Sequence, residues 1–213
     1  MKKKHLVIGS TGLIGSRLLY NLDKNDFSVI SLSRKELINK TNNIESIIID
    51  FESHLKSLVL PKFDCLNICL GTTIKKAGNK EMFKKVDFDY CLCIALKSLK
   101  IGATEINLIS SVGANQKSKN FYLRIKGLLV DEIIKMNYET INIYLPSLLI
   151  GTRSEKRFME GVAQKMSFLI NPLLIGKMKK YRSIKAESIA LHMMKSKRKG
   201  INYFQYKDIM NGI

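Results

Sequence analysis

The chain has no apolar run near the roughly 18 residues that a membrane-crossing helix needs, so no transmembrane span is expected. Behind the opening Met-Lys-Lys-Lys the apolar stretch breaks at Gly9, short of a secretory signal, and a cytoplasmic location is expected. The four cysteines, Cys65, Cys69, Cys91 and Cys93, lie inside apolar segments with no second ligand pair and no histidine nearby. That spacing argues against a metal site and for buried, reduced thiols. Internal repeats, low-complexity linkers and nucleic-acid-binding motifs are also absent.

Acidic residues are scarce, 18 against 36 Lys and Arg, for a formal net charge of +18. Such a charge permits attraction to nucleic acid, anionic lipid or phosphorylated ligands without choosing among them. Because 29 of the cations are lysines spread along the whole chain, compositional bias explains them as well as a binding face does, and no specific nucleic-acid partner is expected.

What the chain does have is an alternation. Short β-branched runs ("HLVIG", "SVISLS", "SIIIDF", "CLNICLG", "TEINLISS", "TINIYLPSLLIG") are interleaved with helical patterns, among them a long one ending near Lys100 and another from about Phe121 to Met136. This order predicts an α/β fold with a doubly wound parallel sheet, and nearly continuous apolar strands fit a sheet covered on both faces. One domain is expected: a cofactor-binding core over residues 1–150 and a smaller substrate-side segment over 151–213, with a helix from about Ala186 to Met194.

The first strand runs straight into Gly9-Ser10-Thr11-Gly12-Leu13-Ile14-Gly15 and then into a helix. Glycines there permit a tight turn, close approach of a pyrophosphate and close helix packing, while the helix amino terminus offers free N–H groups to phosphate. At the end of the second strand stand Ser33, Arg34 and Lys35, with no acidic residue at Ser33 to repel a 2′-phosphate. NADP is therefore expected over NAD, which stays possible.

A tyrosine followed four residues later by lysine places phenol and ammonium on one helix face, and an ammonium favours the phenolate needed for proton exchange with a carbonyl or hydroxyl. With 8 Tyr and 29 Lys chance supplies about one such pair, and four occur: Tyr20/Lys24, Tyr122/Lys126, Tyr181/Lys185 and Tyr203/Lys207. Only Tyr122 opens a helix downstream of a strand end where a ligand crevice should form, and only it follows a serine pair. Ser111 is the candidate to bond the reacting oxygen, with Ser110 as cofactor contact or backbone support.

Together, "GSTGLIGSRLL", "LSRK", "LGTT", "KKVDFDYCLCIA", "LISSVGANQKSKNFYLRIKG", "IYLPSLLIG" and "YRSIKAESIA" resemble the atypical short-chain dehydrogenase/reductase family, in particular its small members. The resemblance implies a Rossmann sheet binding NADP or NAD and a catalytic set of Ser111, Tyr122 and Lys126, the lysine also holding the nicotinamide ribose. It implies that Leu70, Gly71, Thr72 and Thr73 lie along the cofactor and that Asp50 and Phe51, closing the third strand, flank the adenine. Pro146, Ser147 and Leu148 would approach the nicotinamide. Where larger members carry an asparagine, this chain has Asp87 and Asp89, and it lacks their large carboxyl-terminal domain, which argues against sugar-nucleotide substrates.

The apolar "MSFLINPLLIG" flanked by lysines suggests a pocket wall within about 152–182 for a small, apolar carbonyl or hydroxyl compound. The sequence thus points to an NADPH-dependent oxidoreductase, monomer or homodimer, with an NADPH-binding regulator that turns nothing over as the alternative.

Overall fold

The computed structural model describes residues 2–37, 41–151, 174, 176–195 and 198–213. Strand β1 (His5–Ile8) leads through the glycine turn into helix α1 (Leu13–Lys24), followed by β2 (Val29–Ser33), β3 (Ile44–Ile48), α2 (Phe51–His54) and β4 (Cys65–Ile68). Next come α3 (Ile74–Ala77), α4 (Lys80–Lys84), a π-helical turn (Lys85–Asp89) and α5 (Tyr90–Lys100), then β5 (Glu105–Ile109), α6 (Phe121–Ile134) and β6 (Thr140–Tyr144). The chain closes with β7 (Leu149–Ile150), a 3-10 turn (Gly176–Tyr181), β8 (Ile184–Lys185), α7 (Ala186–Lys195), β9 (Gly200–Phe204) and α8 (Tyr206–Asn211).

Seven strands form one sheet in the order β3-β2-β1-β4-β5-β6-β9, every pair parallel; β7 and β8 make a separate parallel pair. Alternate residues on each strand feed opposite faces. Leu6, Ile8, Ile30, Leu32, Leu66 and Ile68 pack with Ile94 of α5 and Ile133 of α6, while Val7 and Val29 pack with Leu18 and Leu22 of α1 and Ile189 of α7. Each such fully buried aliphatic side chain contributes roughly 1.5–3 kcal/mol. Because both faces are covered, the strands read as continuous apolar runs.

The order reverses between β1 and β4, so their connections leave in opposite directions and open a crevice at the carboxyl ends of the two strands. Across the other half of the sheet four asparagines, Asn67, Asn107, Asn142 and Asn202, stand opposite one another in register on β4, β5, β6 and β9.

Three features differ from the sequence expectations. The third strand ends at Ile48, two residues after the apolar run "SIIIDF" begins, because the Asp50 carboxylate accepts the Glu52 N–H at 3.0 Å and turns the chain into α2. Asp50 and Phe51 therefore belong to a helix start, not to a strand end. The long helix expected to run to Lys100 is broken: Gly78, at φ 89°, ends α3 and Asn79 caps the start of α4. Finally, no strand was read beyond residue 151, yet β9 pairs with β6, which puts Tyr203 on the main sheet instead of beyond it.

Candidate functional site

The glycine turn is built with no room to spare. Gly9 sits at φ 74°, and a Cβ there would fall 2.6 Å from the backbone of Cys69 and Leu70 at the end of β4. A Cβ on Gly15 would lie 2.2 Å from the Gly9 carbonyl, and one on Gly12 3.0 Å from the same oxygen. The Gly12 N–H donates to that carbonyl at 2.9 Å. No side chain caps α1 and no acidic residue lies in its first turn, so its first N–H groups and the positive end of its dipole are left for an anion.

The side chains of this stretch mostly face inward. Ser10 shares a 2.7 Å hydrogen bond with Ser31 inside the protein, and Leu13 and Ile14 enter the core, so only Thr11 is exposed. What faces the crevice is backbone, and that cradle fits the diphosphate of a dinucleotide.

At the end of β2, Ser33 is buried and bonded to the Lys35 carbonyl, while Arg34 and Lys35 are exposed. The Ser53 hydroxyl, the Glu52 N–H and, more weakly, Arg34 hold the Asp50 carboxyl below its usual range. Phe51 is buried and stacks on Tyr90 with ring centroids 5.4 Å apart. Burial, and then Glu52, push the Tyr90 phenol up to about 12; Glu52 accepts from both Tyr90 and Lys85.

Deeper in the crevice Lys126 and Tyr122 lie one turn apart on α6. Lys126 is buried, its Nζ 2.8 Å from Oδ1 of the wholly buried Asp87. Burial works against the ammonium, but Asp87, Tyr122 and Cys91 outweigh it and its pKa is raised. Tyr122 is half-buried and packs its ring on Phe83 at 5.6 Å. The second Asp87 oxygen accepts the Thr72 N–H at 2.8 Å, and Gly71 sits over the ion pair, 3.6 Å from Nζ at the position of an added Cβ. Leu70 is half-buried just before it.

Ser110 is buried, with its hydroxyl 3.4 Å from the Lys126 carbonyl. The Ser111 hydroxyl is directed to the Val112 carbonyl at 3.4 Å, and among the described residues no hydrogen bond joins it to Tyr122. The Val112 N–H donates to the Pro146 carbonyl, which ties the end of β5 to the stretch after β6. There Ser147 spends its hydroxyl on the Tyr181 and Arg182 carbonyls, and Leu148 is exposed. The segment expected to wall the pocket lies, for 152–173, outside the described residues.

The competing Tyr/Lys pairs are elsewhere: Tyr20, Tyr181 and Tyr203 are 60%, 44% and 50% exposed. Three contributors were not singled out from sequence. Asp87 was noted only as a departure, although its neighbour Thr72 and partner Lys126 were both named. Phe83, the floor under Tyr122, carried no signal beyond hydrophobicity. Gly127 could have been read: a Cβ there would lie 2.3 Å from the Asn115 backbone, so α6 presses directly on the loop that follows β5.

No protein-family model matches the chain. It is, however, 32% identical to the protein HTATIP2 of Rattus norvegicus over 171 residues, 76% of this chain and 69% of that protein. The chain belongs to the atypical short-chain dehydrogenase/reductase family. Another relative is the mitochondrial protein FMP52 of Candida glabrata, 35% identical over 158 residues, 72% of this chain and 67% of the relative. Solved structures share the fold: a UDP-glucose 4-epimerase of Thermotoga maritima with UDP-glucose (TM-score 0.71, 16% identity, 94% of this chain and 75% of the other). WbmH of Bordetella bronchiseptica, in complex with NAD+, is alike at TM-score 0.71 and 10% identity, over 97% of this chain and 76% of the other. The chain therefore carries the NAD(P)-binding Rossmann-like fold of this dehydrogenase/reductase family. Among the described residues no helix is long and apolar enough to cross a membrane.

Proposed function

We propose that the chain is an NADPH-dependent oxidoreductase acting on a small, apolar carbonyl or hydroxyl compound. The observation that carries this reading is a buried, charged Lys126 one helical turn from Tyr122, at the crevice where the glycine turn and the β4 end meet. The backbone of Gly9 to Gly15 would hold the diphosphate, Arg34 the 2′-phosphate, and Asp50 and Phe51 the adenine. Leu70, Gly71, Thr72, Ser110 and the Pro146–Leu148 stretch would line the remainder.

A nicotinamide dinucleotide bound there supplies hydride transfer to or from the substrate carbon. Tyr122 would donate its proton to the carbonyl oxygen as charge develops on it, and take one back in the reverse direction. Lys126, kept cationic, stabilises the phenolate left behind. Ser111 would steady the same oxygen after its hydroxyl rotates away from the Val112 carbonyl, where it now points.

That present orientation of Ser111 favours a second reading, a cofactor-binding regulator without turnover. The deciding experiment measures binding and oxidation of NADPH and NADH against a panel of small aldehydes and ketones. Oxidation by wild type that falls about 100-fold or more in Tyr122→Phe supports the enzyme. Tight binding with no turnover supports the regulator, and no binding of either dinucleotide removes both. The proposal keeps the cytoplasmic location; the mitochondrial name of the FMP52 relatives supplies the rival compartment, which cell fractionation separates.

A further inference from the structure

A single carboxylate reaches two walls of the crevice. Asp87 lies on the π-helical turn, a rare geometry that is frequent at functional sites. Its Oδ2 accepts the Thr72 N–H from the turn after β4, and its Oδ1 stands 2.8 Å from Lys126 Nζ on α6. This second contact is a buried ion pair, and it helps to keep Lys126 protonated. An ammonium carries three protons, so one carboxylate oxygen leaves donors for other acceptors. Gly71 packs over the pair, which is buried: an added Cβ there would come 3.3 Å from Oδ1 and 3.6 Å from Nζ.

We propose that Asp87 is a positioning residue: it locks the Lys126 ammonium to the Gly71–Thr72 turn, so that both meet the nicotinamide ribose in one fixed geometry. This rests on reading the crevice as a dinucleotide site. An ion pair that served the fold alone would support both halves of the ligand equally. Asp87 instead contacts Thr72, after β4, and Lys126 on α6, whereas Arg34 follows β2, two strands away in the sheet order. The titratable groups that face Lys126 are Asp87, Tyr122 and Cys91, and Asp87 is the strongest of them.

The test compares wild type with Asp87→Asn for binding of NADPH and NADH and of their adenosine halves, 2′,5′-ADP and ADP. Loss of a charged contact should weaken the whole dinucleotide about tenfold while the adenosine half stays within about twofold. Independently of any cofactor, labelling of Lys126 by acetic anhydride across the alkaline range, read by mass spectrometry, should rise in Asp87→Asn, because burial is then less opposed. Should the single variant not fold, Asp87→Asn/Lys126→Met removes both buried charges together. Its dinucleotide affinity should equal that of Lys126→Met, the Asp87 change costing nothing once the ammonium is gone.

Equal losses for both halves, unchanged labelling, or an undiminished effect of Asp87→Asn in the Lys126→Met background would overturn the proposal while leaving the dinucleotide reading intact. Wild type that binds none of the four ligands would overturn that reading and this inference with it.

Discussion

Asn142 donates its side-chain amide to Oδ1 of Asn107 at 2.9 Å, and both residues are wholly buried. The contact repeats on either side, from Asn202 to Asn142 at 3.0 Å and from Asn107 to Asn67 at 2.9 Å. Every inner amide both gives and receives, so the row is satisfied only in register. Asn107→Ala would leave the Asn67 oxygen with only the weak Cys65 thiol donor and would remove the acceptor of the Asn142 amide in the core. A loss of about 2–4 kcal/mol is expected, measured by urea unfolding at unchanged m; a loss below about 1 kcal/mol would mean the row adds little.

The row ends at His5, whose Nδ1 faces the Asn67 amide at 3.3 Å. Burial first, and then Lys3, lower this imidazole to about 4 from 6.5. The unfolded chain therefore binds a proton below 6.5 that the folded one refuses until about 4, so stability falls as pH drops through that window. The effect is about 3 kcal/mol at its limit. Unfolding followed from neutral to acid pH should show a slope in wild type that His5→Phe lacks by up to one proton; identical slopes would clear His5.

Gly9 and Gly78 both have positive φ, 74° and 89°, but only Gly9 has neighbours within reach of a Cβ. Gly78→Ala should cost about 1 kcal/mol from backbone conformation alone and leave dinucleotide binding unchanged. Gly9→Ala adds a clash with the β4 end and should cost about 3 kcal/mol or more, with NADPH binding lost. Thermal unfolding and NADPH fluorescence titration measure the two effects side by side.

Arg34→Glu should weaken NADPH by about tenfold to a hundredfold and leave NADH nearly untouched, because only the former carries a phosphate for the guanidinium to pair. Parallel titrations of the two cofactors measure the ratio. An equal loss for both would assign Arg34 to holding Asp50 instead.

The parallel sheet and the glycine turn were legible because each rests on a local signal: a β-branched run, or glycine where a Cβ has no space. Tyr122 was legible only through its place after the fifth strand, since the Tyr/Lys spacing occurs four times. The Asp87–Lys126 pair was not, because it depends on how a π turn rotates one residue inward, and sequence periodicity does not register that. Strand β9 was missed because Ile201 and Tyr203 are about half exposed, which blurs the apolar run that marks the inner strands.

At Gly127 the helix and the loop after β5 meet backbone to backbone, and the Asn115 N–H bonds back to Leu123. That rim cannot swing outward to admit a bulkier molecule without tearing this seam. Anyone wishing to widen the entrance by design would have to rebuild the loop and the glycine as one cassette, since a larger residue at 127 alone would wedge the two apart.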